Sequence, residues 1–321
     1  MRQRFLWVIA IGWVVFRAIC GPAWCADIAV LGDNAVQDCA GRRINTEKPF
    51  SRIISLYGAH TENLAALGAL DQLIGVAPRG NQLAEVDKPV FSVHDGPERF
   101  LAARPDLVLV RPMHDRGYAA LMSRLESFGV VVASLQPGSI SEMKLYWHVL
   151  GHLTGRQQSV ASMVRRFEAG VRAARAVSSD ISPRKKVYFE AIHKPFKTFT
   201  PGAMPLFALS CAGGVNIAQE AKSVRGTNIA GYSKERILAH AEDIDVYLAQ
   251  KGVMNPIEMA DIVNEPGFGA IKAVRNGLIC LVDETIVSRP TLALLQGICR
   301  IGECLYPEQF DAATRERIIH P

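Results

Sequence analysis

The sequence predicts an α/β protein in which two doubly wound lobes are joined by a single long helix. Short apolar runs typical of buried parallel strands alternate with segments of helical periodicity, and this alternation occurs in two separate blocks. A helical pattern over 141–178 lies between the blocks. We therefore divide the mature chain into an N-terminal lobe over 27–140, a linking helix over 141–178 and a C-terminal lobe over 179–321.

The start of the chain has the composition of a secretory signal peptide. Arg2 and Arg4 precede an apolar run over 5–16, and small residues follow it. The run is shorter than the ~20 residues that a membrane-spanning helix needs. We expect residues 1–26 to be removed and the mature protein to be periplasmic; an uncleaved membrane anchor is the alternative.

Apolar strands with helices between them define the N-terminal lobe. The strands are predicted at 53–56, 73–77, 89–93, 106–110 and 130–134, and the helices at 61–70, 98–103 and 118–128. In the first helix, Leu64, Leu67 and Leu70 recur at helical spacing. The polar lead-in over 27–48 predicts at most a short strand or hairpin.

The linking segment begins with a capping box, since Ser139 and Glu142 have the required spacing. Apolar residues at intervals of three and four continue to about Ser178. The pattern fits one long helix or two helices with a break near Gly155.

The second block repeats the alternation. Its strands are predicted at 186–191, 246–249 and 278–282, and its helices at 206–212, 237–240, 269–273 and 292–305.

The charge and the cysteines exclude several classes of protein. The net charge of +5 falls by three when Arg2, Arg4 and Arg17 leave with the signal, and the basic residues are scattered, so we expect no nucleic-acid partner. The cysteines outside the signal match no zinc-ribbon spacing, and their odd number leaves at least one thiol unpaired. An oxidising periplasm makes a disulfide plausible.

Polar side chains follow the predicted strands, at the edge where ligands bind in open α/β sheets. The candidate ligand-binding residues are Tyr57, His60, His94, Arg111 and His114 in the first lobe, and Glu190, His193 and Arg289 in the second. The arginines can hold carboxylates of a chelate through bidentate hydrogen bonds.

Four of these residues are histidines, and neutral imidazole is a common ligand of transition metals. The candidate metal ligands are His60, His94, His114 and His193. The alternative is that each is a solvated or helix-capping loop histidine. No G-x-S-x-G, H-E-x-x-H or P-loop motif is present, so we expect a binding protein and no catalytic cofactor. A secreted metal-dependent hydrolase that uses His60 and Glu62 is the alternative.

Five segments, in order along the chain, give the sequence a family resemblance. They are RIISLYGAHTENLAALGALDQLIGV (52–76), ARPDLVLV (103–110), SKERILAHAEDIDVYL (233–248), FGAIKAVRNGLICLVDE (268–284) and LYPE (305–308). The chain resembles the periplasmic binding proteins of the iron-siderophore and cobalamin uptake family over about 52–307. The resemblance implies the class III, helical-backbone fold, no catalytic machinery, and delivery of a ligand to an ABC permease dimer with its ATPase. We expect a monomer.

The resemblance also assigns roles to individual residues. Glu62 and Glu235 would lie on the outer surfaces of the two lobes and pair with arginines of the permease, and the alternative for both is a helix N-terminal carboxylate. Cys211, which precedes Gly213 and Gly214, would form a disulfide with Cys299 of the last helix. Cys304 competes with Cys299 for that pairing.

The resemblance leaves the ligand open among a bare transition metal, a metal chelate, a siderophore, haem and a corrinoid. The cobalamin-binding members use tryptophans around the cleft, whereas the comparable positions here carry His94 and Arg111. We therefore favour a transition metal or a compact metal chelate. A binding protein that feeds a membrane sensor instead of a permease would have the same fold.

Overall fold

The computed structural model describes residues 27–78, 87–223 and 227–321, so the predicted signal peptide lies outside the described residues. Within the described ranges, no helix is both long and apolar enough to cross a membrane.

The chain begins with a small antiparallel sheet, followed by the first α/β lobe. The small sheet consists of β1 (Ala29–Val30), β2 (Ala35–Gln37) and β3 (Arg43–Asn45). The lobe consists of β4 (Ile53–Ser55), α1 (Gly58–Ala66), β5 (Leu73–Val76), α2 (Pro97–Ala103), β6 (Leu107–Val110), α3 (Pro112–Gly117), α4 (Ala119–Ser127) and β7 (Val131–Ser134). The strand predicted at 89–93 is reduced to an isolated bridge between Val76 and Val90.

The first lobe has a four-stranded parallel sheet in the order β5-β4-β6-β7. Its strands are almost fully buried, because apolar clusters pack against both faces of the sheet. This double coverage explains why the strands are continuous apolar runs in the sequence, without alternation.

Two helices connect the lobes: α5 (Ile140–Thr154) and α6 (Gln157–Ser179). Ser139 caps α5 by accepting a hydrogen bond from the Glu142 amide. Gly155 ends α5 in the left-handed conformation at a φ of 69°, and a Cβ there would meet Pro49 at 2.6 Å. Of the two interpretations of this segment, the one with a break at Gly155 is therefore correct.

The second lobe contains the rest of the chain. Its elements are β8 (Lys186–Ile192), β9 (Lys197–Phe199), α7 (Met204–Cys211), β10 (Val215–Asn216), β11 (Ile229–Gly231), α8 (Lys234–Ala239), β12 (Val246–Lys251), α9 (Met259–Val263), a 3-10 turn (Phe268–Ala270), α10 (Lys272–Arg275), β13 (Ile279–Asp283), α11 (Glu284–Val287), α12 (Leu294–Leu305) and α13 (Ala312–Ile319).

The second sheet has the order β11-β9-β8-β12-β13, with β10 also paired to β8. Strands β8, β12 and β13 are parallel, and β9 and β11 add an antiparallel edge. One apolar cluster covers one side of this sheet, and the largest cluster of the molecule covers the other side and continues through α5 and α6 into the first lobe. The predicted fold class, two doubly wound α/β lobes, is confirmed.

The predicted disulfide is wrong. Cys280 of β13 is bonded to Cys304 of α12, with the two Cα atoms 6.3 Å apart, whereas Cys211 and Cys299 are buried free thiols. The periodicity of α12 explains the choice: Cys299 points into the core between helices, and Cys304 lies at the edge of the core next to β13.

Candidate functional site

The carboxyl ends of the two parallel sheets approach each other across a cleft. Asn63 of α1 donates a hydrogen bond to the Pro290 carbonyl of the second lobe at 2.9 Å, and Trp147 of α5 donates to the same carbonyl at 3.1 Å. Asn228 of the second lobe donates to the Gly138 carbonyl of the first lobe at 3.0 Å. These contacts join the two lobes directly.

Tyr57 lies two residues after the end of β4, at the carboxyl edge of the first sheet. The guanidinium of Arg111, which follows β6, lies 4.6 Å from the centre of the Tyr57 ring. Burial raises the pKa of the Tyr57 hydroxyl, and the positive charges of Arg111 and Arg289 oppose that rise. Because Arg289 belongs to the second lobe, its effect on Tyr57 indicates that the second lobe lies within electrostatic range of Tyr57 and Arg111.

His94 and His114 form a second group at the same edge of the first sheet. His94 is exposed, and its ring packs edge-to-face against Tyr118 with centroids 5.2 Å apart. Burial lowers the pKa of His114, and the nearby charges of Arg111 and His94 lower it further. The buried Nδ1 of His114 has no hydrogen-bond partner among the described residues. The two imidazoles therefore lie within electrostatic range of each other, and one of them has an unsatisfied nitrogen.

His60 is not available to a ligand, which contradicts its prediction as a ligand-binding residue and metal ligand. It is fully buried; its Nδ1 lies 2.6 Å from the Tyr146 hydroxyl and its Nε2 lies 3.2 Å from the Val110 carbonyl. Since the carbonyl can only accept, Nε2 donates and Nδ1 accepts from Tyr146. Burial lowers the pKa of His60 to about 3, so the ring is neutral and both nitrogens are engaged.

Glu190 differs from its predicted role as a direct ligand contact, whereas the buried Nε2 of its neighbour His193 has no hydrogen-bond partner among the described residues. Glu190 is fully buried and accepts hydrogen bonds from Tyr247, from Asn255 and from Nδ1 of His193, the last at 2.9 Å. The hydrogen bond to Glu190 raises the pKa of His193, and Nε2 of His193 lies 3.5 Å from a Glu265 oxygen. An imidazole held between two carboxylates favours its protonated form, which does not bind a metal.

The predicted four-histidine metal site is therefore wrong. His60 and His193 are engaged inside their own lobes, and the described part of the chain contains no group of three or more His, Cys, Asp or Glu side chains arranged to hold a metal ion.

Glu62 does not lie on an outer surface, which contradicts its assignment to permease docking. Its carboxylate forms an ion pair with Arg289 across the cleft, and both side chains are nearly buried. Burial raises the pKa of Glu62, and Arg289 opposes the rise. The pair joins α1 to the segment after α11, so Arg289 is partly committed to holding the two lobes together.

The residue that matches Glu235 in the first lobe is Glu98, which the sequence interpretation missed. Glu98 lies in the first turn of α2 and Glu235 in the first turn of α8, and both are exposed. Each helix leads into an interior strand of its sheet, β6 or β12. The signal was present in the sequence: ERFLAARPDLVLV (98–110) and ERILAHAEDIDVYL (235–248) are internally similar.

Large apolar side chains are exposed beside the polar groups of the cleft. Met113 follows β6 in the first lobe and is 54% exposed, while Val253 and Met254 follow β12 in the second lobe and are 86% and 57% exposed. The backbone amide of Met254 faces the carboxylate of Glu284, whose charge acts on Tyr57. The cleft therefore offers apolar surface as well as charge.

Comparison with known proteins finds relatives of similar sequence and fold. A family model described as periplasmic binding protein matches residues 53–285. An uncharacterized ABC transporter substrate-binding lipoprotein, YvrC of Bacillus subtilis, is 21% identical over 282 residues, which cover 86% of each chain.

Two solved structures of similar fold have descriptions that mention iron or heme. A possible iron-binding periplasmic solute-binding protein from Staphylococcus epidermidis superposes with a TM-score of 0.71 at 24% identity, covering 81% of this chain and all of that one. The periplasmic heme-binding protein HutB of Vibrio cholerae gives a TM-score of 0.68 at 22% identity, covering 80% of this chain and 99% of that one.

Proposed function

Because this chain belongs to the periplasmic binding protein family, we propose that it is the exported substrate-binding component of an ABC importer and that it captures an anionic metal chelate in the cleft between its lobes. The family consists of substrate-binding proteins of ABC transporters, not enzymes, so the hydrolase alternative is set aside. Such proteins work with a permease and an ATPase. We further propose that residues 1–26 direct export.

The arrangement of Tyr57 and Arg111 is the observation that carries the choice of an anionic ligand. The Arg111 guanidinium lies 4.6 Å from the centre of the Tyr57 ring, and its Nε lies 3.3 Å from the side-chain oxygen of Gln136, a neutral acceptor. The terminal N–H groups of an arginine side chain bind carboxylates in bidentate fashion, so Arg111 can hold an anionic group of the ligand. Arg289, opposite, is paired with Glu62, so that pair adds no net positive charge.

We propose His94 as the residue that approaches the metal. Among the predicted ligand histidines, it is the exposed one, and its contacts with the Tyr118 hydroxyl are long, at 3.3 and 3.4 Å. An axial bond to a metal already held by a chelator needs one imidazole, which is consistent with a site that lacks a three-ligand cluster. His114 stands beside it as a second donor.

The apolar side chains at the cleft favour a chelate with a sizeable apolar body. Met113 on one side, with Val253 and Met254 on the other, would cover such a body, while Arg111 binds its anionic groups. A haem is the ligand that combines apolar surface, carboxylates and an axial position, and a haem-binding relative of similar fold supports this choice. A siderophore complex is the second ligand of the same general chemistry.

The test of this proposal is a titration of the purified mature protein with haemin, followed by visible absorption. We expect saturable binding with a shifted Soret band, and His94→Ala should weaken it by about tenfold or more. The matched control is His148→Ala, which removes an exposed histidine from α5. Equal affinity for His94→Ala and the control would remove His94 from the site.

If the parent protein does not bind haemin, native mass spectrometry with elemental analysis of protein isolated from the periplasm identifies the ligand. A bound iron or cobalt complex would retain the chelate class and reject haem. A bare metal ion, with no organic component, would contradict the proposal.

We also propose that Glu98 and Glu235 bind the permease. The two exposed carboxylates occupy equivalent positions on the two lobes, and paired charges of this kind fix orientation and speed encounter. Reversing both to lysine should abolish uptake without changing ligand affinity, whereas Glu308→Lys, an exposed charge elsewhere, should leave uptake intact. If uptake survives the double reversal, these carboxylates do not mediate docking. Uptake that is also unaffected by deletion of the permease would favour a sensor partner.

A further inference from the structure

Helix α3 carries Met113 and His114 into the cleft, yet little apolar packing holds it in place. None of its six residues is fully buried. A helix this short is not stable by itself in water, so tertiary contacts must fix its position. The question is which contacts do so.

We propose that Arg42 is a positioning residue that fixes α3 at the ligand cleft; the proposal rests on the function given above. The Nη2 atom of Arg42 donates to one oxygen of Asp115 at 2.7 Å, and Nη1 lies 3.3 Å from the other oxygen. Asp115 is the residue after His114. The bidentate contact therefore reaches α3 directly beside the side chains that face the ligand.

The same guanidinium binds two further carboxylates. Its Nε donates to Asp38 at 2.8 Å, and Nη1 donates to Glu126 of α4 at 3.0 Å. Arg42 thus joins the small N-terminal sheet, α3 and α4 through one planar group. A lysine in this position could not reach three carboxylates with fixed geometry.

Asp38 supplies the fixed end of this arrangement. It is fully buried, and its two oxygens accept hydrogen bonds from the backbone amides of Ala40, Arg42 and Ser134. Ser134 ends β7, so Asp38 is tied to the carboxyl edge of the first sheet. The Cys39 amide adds a bond to the Ser134 carbonyl at 2.8 Å. Arg42 therefore extends from a rigid base towards a poorly packed helix.

This arrangement assigns a role to the N-terminal sheet, which precedes the segment matched by the family model. Through Arg42 it holds α3 in one position before the ligand arrives. A preorganised site loses less conformational entropy on binding, so loosening α3 should weaken affinity even though Arg42 does not touch the ligand.

The experiment compares Asp115→Asn with Glu126→Gln by hydrogen–deuterium exchange of the unliganded protein. Each variant converts one carboxylate partner of Arg42 to an amide, but only the first cuts the link to α3. We expect the amides of His114, Asp115 and Tyr118 to exchange about tenfold faster in Asp115→Asn, and to be unchanged in Glu126→Gln. The midpoint of global unfolding should change little in either.

Arg42→Lys and Arg42→Gln extend the comparison. Lysine should restore part of the protection because it keeps one charged contact, whereas glutamine should resemble Asp115→Asn. If α3 exchanges at the parent rate in Asp115→Asn and in Arg42→Gln, the proposal is overturned.

Binding of haemin is the second readout. We expect Asp115→Asn to weaken it by several-fold, mainly through faster dissociation, with Glu126→Gln as the control. Faster exchange of α3 combined with unchanged haemin affinity would contradict positioning of the site. If the parent protein does not bind haemin, the proposed ligand fails, while the exchange data still decide whether Arg42 fixes α3.

Discussion

His60 shows how burial changes the chemistry of a single side chain. In an exposed loop it would be a metal ligand, but here it accepts from Tyr146 and donates to Val110 inside the core. Its pKa of about 3 means that the folded protein holds the ring neutral where the unfolded chain would protonate it.

A pH dependence of stability follows from this histidine. The folded pKa is below the unfolded value, so protonation favours the unfolded chain and stability is lost as the pH falls. Between pH 6.5 and about 3 the loss should be about 1.4 kcal/mol per pH unit. The measurement is the free energy of unfolding in urea at pH 7 and pH 4.5 for the parent and for His60→Gln.

The His60→Gln variant should be less stable than the parent at pH 7. Its free energy of unfolding should also lack the part of the pH dependence that comes from His60. Subtracting the two proteins at each pH cancels the other titrating groups. A difference that does not vary between pH 7 and pH 4.5 would contradict a buried, neutral His60. Haemin affinity should be unchanged per folded molecule.

At this scale the sequence had limited predictive power. It identified which residues follow the strands, but not which way each side chain points. His60 and His94 both follow predicted strands, and one is buried while the other is exposed. The distinction depends on Tyr146, which lies 86 residues away from His60 in the chain.

At the scale of elements, local patterns were more informative. A strand that is buried on both faces is a continuous apolar run in the sequence, wherever it lies in the sheet. For this reason β4, β6 and β7 were predicted within a residue or two. The small sheet β1 to β3 was not, because its strands have only two or three residues and are too short to show a periodic pattern. The break at Gly155 was one of two possibilities, and the contact with Pro49 decided it.

The disulfide between β13 and α12 gives a prediction at the same scale. The two cysteines are 24 residues apart, and closing a loop of that length stabilises a protein by about 3 kcal/mol in the chain-entropy model. Replacing both Cys280 and Cys304 by serine should lower the free energy of unfolding by about that amount. Denaturant unfolding with and without dithiothreitol measures it.

Reduction should destabilise the parent more than the double variant, in which Cys39 is still disulfide-bonded. A Cys211→Ser variant, which retains the bond, should keep its sensitivity to reduction. Loss of that sensitivity in Cys211→Ser, with retention in the double variant, would restore the pairing predicted from the family resemblance.

The relation between the lobes is a property of the whole molecule. Glu62 and Arg289 are 227 residues apart in the chain and form an ion pair between the lobes, with little exposure of either side chain. Removing one member of such a pair leaves the other charge buried without compensation, which costs more than removing both.

We predict that Arg289→Met destabilises the protein by about 3 kcal/mol and that Glu62→Gln/Arg289→Met is closer to the parent. Equilibrium unfolding of the parent, both single variants and the double variant gives the coupling free energy. Small-angle scattering of the same four proteins tests whether the lobes separate further once the pair is lost. A coupling free energy near zero would mean that the pair does not join the lobes.

The sequence by itself determined the two α/β blocks, the helical connection and the family, because these depend on apolar periodicity and on short motifs that are local in the chain. Only the tertiary structure decided which side chains face the cleft, that Glu62 pairs with Arg289, that Cys304 pairs with Cys280 and that Arg42 reaches α3. Each of these depends on the direction of a side chain relative to a partner distant in sequence. Hydrophobic periodicity constrains which face of an element is buried, but it contains no information about which distant residue completes a contact.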